Sequence, residues 1–166
     1  MVTPIVMLAL MLAPAVLAAA FNGFTRYRFD LRNAAALGLG ILFIFTGIGH
    51  FAQTGPMVQM LPSWVPEREL LVYLSGFLEF AIAIGFFIPR FRRLAGLSAA
   101  LVLVLFFPVN VYAVFNHVPM GGHAWGPVYL LIRAPLQAII LVWVYWFTIR
   151  APGTASDRRA ARTMRA

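Results

Sequence analysis

The chain contains no cysteine and no lysine. Without thiols it cannot perform disulfide exchange, build a thiolate metal site or hold a Cys-ligated iron–sulfur cluster. Charge is scarce as well: ionic side chains make up 11% of the residues and apolar ones 62%. A soluble domain carries roughly 45–50% apolar residues, so this composition, with a mean hydropathy of +0.86, describes an integral membrane protein. Acidic residues number 5 against 13 arginines, a net charge of +8. In a soluble protein that excess would suggest nucleic acid. Here nearly all of it falls in connections and in the tail, the pattern of a bilayer protein. Nucleic acid is therefore set aside, and the lipid bilayer is the expected partner.

A helix needs about 20 residues to cross the hydrocarbon, and five apolar runs meet that length, at about 3–21, 34–52, 70–88, 94–115 and 127–148. Arg26, Arg28 and Arg32 follow the first run, Arg90, Arg92 and Arg93 the third, and Arg150, Arg158, Arg159, Arg162 and Arg165 the fifth. The connection after the second run has Glu67, Arg68 and Glu69, and 116–126 has no charge beyond two histidines. By the positive-inside rule this alternation predicts a multi-pass membrane protein with its amino terminus outside and its carboxyl terminus cytoplasmic. Ala18-Ala19-Ala20 resembles a signal-peptidase site. However, residues 1–4 are not basic, and the run exceeds the usual h-region of about 7–15 residues, so the first span is expected to remain a membrane helix. The expected organisation is all-α: a first helix and basic loop over 1–33, a four-helix bundle over 34–148, and a basic, mobile tail over 149–166 lying against anionic headgroups.

Four of the spans hold residues that lipid disfavours: His50, Glu79, Asn110 and Arg133, with Gln137 one turn beyond the last. A charge near the bilayer centre costs about 2.5–3.5 kcal/mol even on lenient scales. Such residues on separate helices therefore predict a shared buried site. At a rise of ~1.5 Å per residue they lie roughly 3 Å (His50), 8 Å (Asn110), 9 Å (Arg133) and 14 Å (Glu79) from the outer span ends. Side chains lean toward the amino terminus of their helix, which brings Glu79 and Arg133 outward toward the other two. Tyr129, Arg133 and Gln137 recur at i, i+4 as one stripe, and Tyr73, Gly76 and Phe80 share a face near Glu79. Pro108 and Pro135 sit beside the polar positions. Each frees a carbonyl four residues back, which is tolerated where protein or a wet cavity satisfies it.

Several pieces of this sequence resemble the DoxX family of small bacterial membrane proteins. They are Gly47-Ile48-Gly49-His50-Phe51, Leu61-Pro62-Ser63-Trp64-Val65-Pro66, Ser75-Gly76-Phe77-Leu78-Glu79, Pro89-Arg90 with Arg93-Leu94-Ala95-Gly96, Phe107-Pro108-Val109-Asn110, and Arg133-Ala134-Pro135-Leu136-Gln137. The resemblance covers about 34–148. It implies a four-helix membrane bundle formed by spans two to five, with the first span an addition. It also implies a link to membrane redox systems, with quinone as a possible cofactor and redox proteins as partners, rather than an enzyme acting alone. The missing cysteines remove any thiol-based role from this chain.

Three readings of the polar residues remain. Glu79 and Arg133 can be a structural pair that fixes helix register. The same residues, with His50, Asn110, Gln137, Tyr73 and Tyr129, can form a ligand pocket in which Arg133 and His50 bind a quinone carbonyl and Glu79 relays protons. Alternatively, Glu79 titrates in a proton-coupled carrier, although no internal repeat supports transport. No catalytic set can be named, and no metal site is expected. His50, His117 and His123 fall on one side and form the alternative metal-binding set, with no established ligand spacing. Trp64, Trp125, Trp143 and Trp146 read as interfacial aromatic belts, and 57–61 between Pro56 and Pro62 as a short surface helix or lid.

Overall fold

Apolar runs of this length have one economical way to satisfy their backbone in lipid, which is to close every hydrogen bond within a helix. The computed structural model describes residues 2–25 and 28–150, and among them the secondary structure is entirely helical. Five helices are long and apolar enough to cross a membrane. They are α1 (Val2–Phe24), α2 (Leu31–Ala52), α4 (Arg68–Phe87), α5 (Arg92–Phe115) and α6 (Leu130–Val144), the last extended by a 3-10 segment before it and a π-turn after it. The short α3 (Thr54–Gln59) overlaps the surface helix expected at 57–61 but starts three residues earlier and takes Pro56 into its first turn. The tail beyond Arg150 and its four arginines, like Arg26, lie outside the described residues.

Lipid-facing positions are occupied by large apolar side chains such as Leu74, Phe77, Leu101, Leu105, Leu131 and Val142, all more than half exposed. A smaller apolar core joins all five long helices. Leu39, Leu42, Phe86, Ala99 and Ile140 are buried there together with Met7 and Met11 of α1. The first helix is therefore built into the same core as the other four, with Met11 fully buried.

Close helix contacts depend on missing side chains. On α2, Gly47 faces the Phe80 ring of α4, and on α4, Gly76 faces His50 and Phe51 of α2. Gly38 faces the backbone carbonyl of Met11 on α1, and Gly96 of α5 faces Thr148. Small residues at helix interfaces let backbones approach where no hydrophobic force drives association.

The two ends of the bundle differ. One is basic: Arg32 donates from Nε to the Phe147 carbonyl at 2.8 Å and from Nη2 to that of Arg150. At the same end Arg92 donates from Nε to the Phe86 carbonyl at 3.0 Å, and the Arg150 guanidinium lies 4.4 Å from the Trp146 ring centroid. Both capping arginines thus satisfy orphan carbonyls at helix carboxyl ends. Trp125, Trp146 and Trp64 are exposed as interfacial aromatics should be, whereas Trp143 is half-buried against Phe147, 4.5 Å between ring centroids. The other end collects the polar residues.

Candidate functional site

The α2–α4 contact places His50 beside Glu79. His50 Nδ1 lies 3.0 Å from the Val72 carbonyl and 2.9 Å from Ser75 Oγ, which itself donates to the same carbonyl at 2.8 Å. The carbonyl can only accept, so Nδ1 carries a proton. The opposite nitrogen, Nε2, stands 3.6 Å from Glu79 Oε1, too far for a hydrogen bond but close enough for a charge contact. Glu79 is 6% exposed, and its Oε2 is buried with no hydrogen-bond partner among the described residues.

A second network joins α5, α6 and the 3-10 segment His123–Tyr129. Asn110, 4% exposed, donates from Nδ2 to the Phe106 carbonyl at 2.7 Å, which fixes its orientation. Its Oδ1 accepts from Arg133 Nε at 2.9 Å and lies 3.1 Å from His123 Nε2. His123 Nδ1 is 2.6 Å from the Met120 carbonyl. Both ring nitrogens therefore face acceptors, and His123 makes both bonds only when doubly protonated. Arg133 Nη1 reaches Met7 Sδ of α1 at 3.8 Å. Among the described residues no carboxylate comes within 4 Å of this guanidinium.

The networks adjoin through Phe106. Its carbonyl receives Asn110, and its ring lies 6.1 Å from the His50 ring. The structure thus corrects the expected Glu79–Arg133 pair: Glu79 meets His50, and Arg133 meets Asn110. The reason is helix adjacency. Gly47 and Gly76 draw α2 and α4 together, whereas Arg133 starts on α6 and reaches the neighbouring α5 first.

Other expected site residues separate. Gln137 is buried but donates to the Leu103 carbonyl at 2.7 Å, next to the Val104 carbonyl that Pro108 leaves without a helical donor. Tyr129 is buried edge-on to His123, 5.1 Å between ring centroids. Tyr73 lies outside the cluster: its hydroxyl donates to Glu69 at 3.3 Å and its ring stacks on Phe51. Tyr73 shares its face with Gly76 and Phe80, and six residues of helix turn it about 120° away from Glu79, so it does not point into the cluster. His50, His117 and His123 are not gathered either, because His117 is exposed, with positive φ, against Gly126. Among the described residues no group of three potential His, Asp or Glu ligands forms.

Sequence reasoning assigned His123 only to the metal alternative and did not find Ser75 or Met7. The polar Ser75 three residues after Val72 on an apolar span was the available signal for the former. Met7 gave none, since a methionine on an apolar helix reads as core. Replacing Asn110 with leucine is expected to destabilise the protein by about 1–3 kcal/mol, the cost of unsatisfied buried donors, larger for the charged Arg133. Asn110→Leu unfolding in detergent at the wild-type temperature would refute the network.

Fold and site define a class: a multi-pass helical membrane protein with a buried polar network near one end of its bundle. The chain belongs to the family described as Domain of unknown function (DUF8561), whose model matches residues 39–148. That range contains His50, Glu79, Asn110, His123 and Arg133 and leaves out α1 with Met7. No curated protein and no solved structure matches the chain.

Proposed function

We propose that the protein is a DoxX-like, non-enzymatic component of a quinone-linked redox system of the bacterial inner membrane. In this reading its polar network holds the carbonyl-bearing headgroup of a lipophilic molecule in the outer half of the bilayer. The amino terminus lies outside, the basic end faces the cytoplasm, and the redox partner is another membrane protein. The observation that carries the reading is the guanidinium of Arg133, fixed by Asn110 and Met7 yet with no carboxylate against it among the described residues. An arginine at this depth is costly unless its donors are used, and a quinone carbonyl is an uncharged acceptor that reaches such a site through lipid. Between α5 and α6 a groove of about 270 Å³, lined by Val104, Phe107, Ala134 and Gln137, gives lateral access one turn from Arg133.

The test is native mass spectrometry of the protein released from its own membranes in mild detergent. A quinone-sized mass is expected on the wild type and not on Arg133→Met. A bare chain carrying only phospholipid, with quinone added in excess, overturns the reading. The second reading, a proton-coupled carrier, is favoured by the 3.6 Å approach of two ionisable groups, His50 Nε2 and the buried Glu79 Oε1. It requires proton-linked flux by the purified protein alone in liposomes, abolished by Glu79→Gln.

A further inference from the structure

The opposite, basic end carries a second site, independent of the polar network. Between α1, α2 and α4 a groove of about 720 Å³ opens to the side of the bundle. Its trough is apolar, formed by Pro14, Leu17, Phe21, Leu37 and Phe87, and its mouth is polar, formed by Asp30, Asn33 and Arg92.

Two contacts shape the groove. Deep in the bundle the Gly38–Met11 contact pinches α1 against α2. At the basic end Asn22 clips the helices together by donating from Nδ2 to the Phe29 carbonyl at 2.8 Å and accepting from the Phe29 amide at 2.6 Å. The Phe21 and Phe29 rings meet edge-on above it, 6.0 Å apart. The trough lies between pinch and clip, so it is a feature of the helix pair rather than a chance surface dent.

The mouth presents one fixed charge of each sign. Arg92 is held by Nε on the Phe86 carbonyl and by Nη1 on Asn33 Oδ1, both neutral acceptors. Asp30 caps α2 by accepting from the Arg32 amide through Oδ1 at 2.8 Å. No ion pair joins either residue to another described residue. A guanidinium and a carboxylate at the membrane boundary, beside an apolar trough, complement a headgroup with a phosphate and an ammonium above an acyl chain.

We propose that this groove binds one phospholipid of the phosphatidylethanolamine type. Its phosphate sits on Arg92, its primary ammonium on Asp30, and one acyl chain lies along Leu17, Leu37 and Phe87. A glycerol headgroup offers nothing cationic to Asp30, and a quaternary choline has no N–H to donate. The groove therefore discriminates by headgroup rather than by chain.

The test is native mass spectrometry of the full-length, delipidated protein in mild detergent. It is titrated with phosphatidylethanolamine, phosphatidylglycerol and phosphatidylcholine of identical chains. One phosphatidylethanolamine should bind roughly five-fold more tightly than phosphatidylglycerol, the effect of a single exposed ion pair, and more tightly than phosphatidylcholine, whose cation lacks the N–H for a charge-assisted hydrogen bond. Asp30→Asn keeps a good helix cap and should lower phosphatidylethanolamine binding to the level of the other two lipids. Ala34→Phe, at another residue of the trough lining, should fill the groove and lose the bound lipid altogether. Equal binding of the three lipids to the wild type overturns the proposal, and so does a preference that survives Asp30→Asn. The Asp30→Asn comparison stands by itself if Ala34→Phe fails to fold.

Discussion

Glu79→Ala is expected to lower the stability of the bundle by about 3–5 kcal/mol, because it strips the partly buried His50 ring of the buried carboxyl that faces it. The size follows from burial: Glu79 is 6% exposed and His50 Nε2 has no nearer described partner. His50→Leu should cost a similar amount by leaving the carboxyl alone. Combining Glu79→Leu with His50→Leu should recover much of the loss, since apolar replacement of a whole buried pair is often neutral or stabilising. Residues in direct contact couple by about 0.5–3 kcal/mol, whereas separated ones add within about 0.3–0.5 kcal/mol. The Glu79/His50 double-mutant cycle, measured by unfolding in detergent, should therefore show the larger coupling. A Glu79/Arg133 coupling that exceeds it would show that the acid and the guanidinium meet after all. If the stable double variant also loses its bound ligand, the pair serves binding and not only packing.

The second large effect is expected at Gly38. A Cβ there would fall on the carbonyl of Met11, and backbone cannot move aside as a flexible side chain can. Overpacking of this kind typically costs about 1–3 kcal/mol, occasionally more. Gly38→Val should therefore push α1 away from α2, withdraw Met7 from Arg133 and open the core around Met11. The natural absence of cysteine allows a direct readout. A cysteine introduced at Ala18, 8% exposed, should react slowly with a membrane-permeant maleimide in the parent and much faster alongside Gly38→Val. Equal labelling rates and unchanged stability would mean that α1 is held by something other than this contact.

Much of the fold was legible in the sequence because lipid leaves few choices. A run of about 20 apolar residues must be helical to satisfy its backbone, and all five helices lie within a few residues of the apolar runs. The greatest departure is at the fifth. Gly126, at φ +71, breaks the start of that span, so regular helix begins only at Leu130. The short helix after α2 was legible only in part: Pro62 lies beyond its end, but Pro56, read as its boundary, sits in its first turn.

The candidate site was legible as a set of residues but not as a set of partners. Sequence identifies His50, Glu79, Asn110 and Arg133 as out of place in lipid, and counting residues along each helix gives their depth. It cannot give the rotation of one helix about another. That rotation is decided by where small residues permit contact: Gly47 and Gly76 between α2 and α4, and Gly38 between α1 and α2. Ionic character alone would join Glu79 to Arg133. Helix adjacency instead gives Glu79 to His50 and Arg133 to Asn110, and brings in Met7 and His123. The sequence by itself therefore determined the solvent, the number of spans and which side chains lipid would reject. Tertiary structure alone decided which of those side chains meet, because pairing depends on the relative rotation and closeness of helices that share no local sequence.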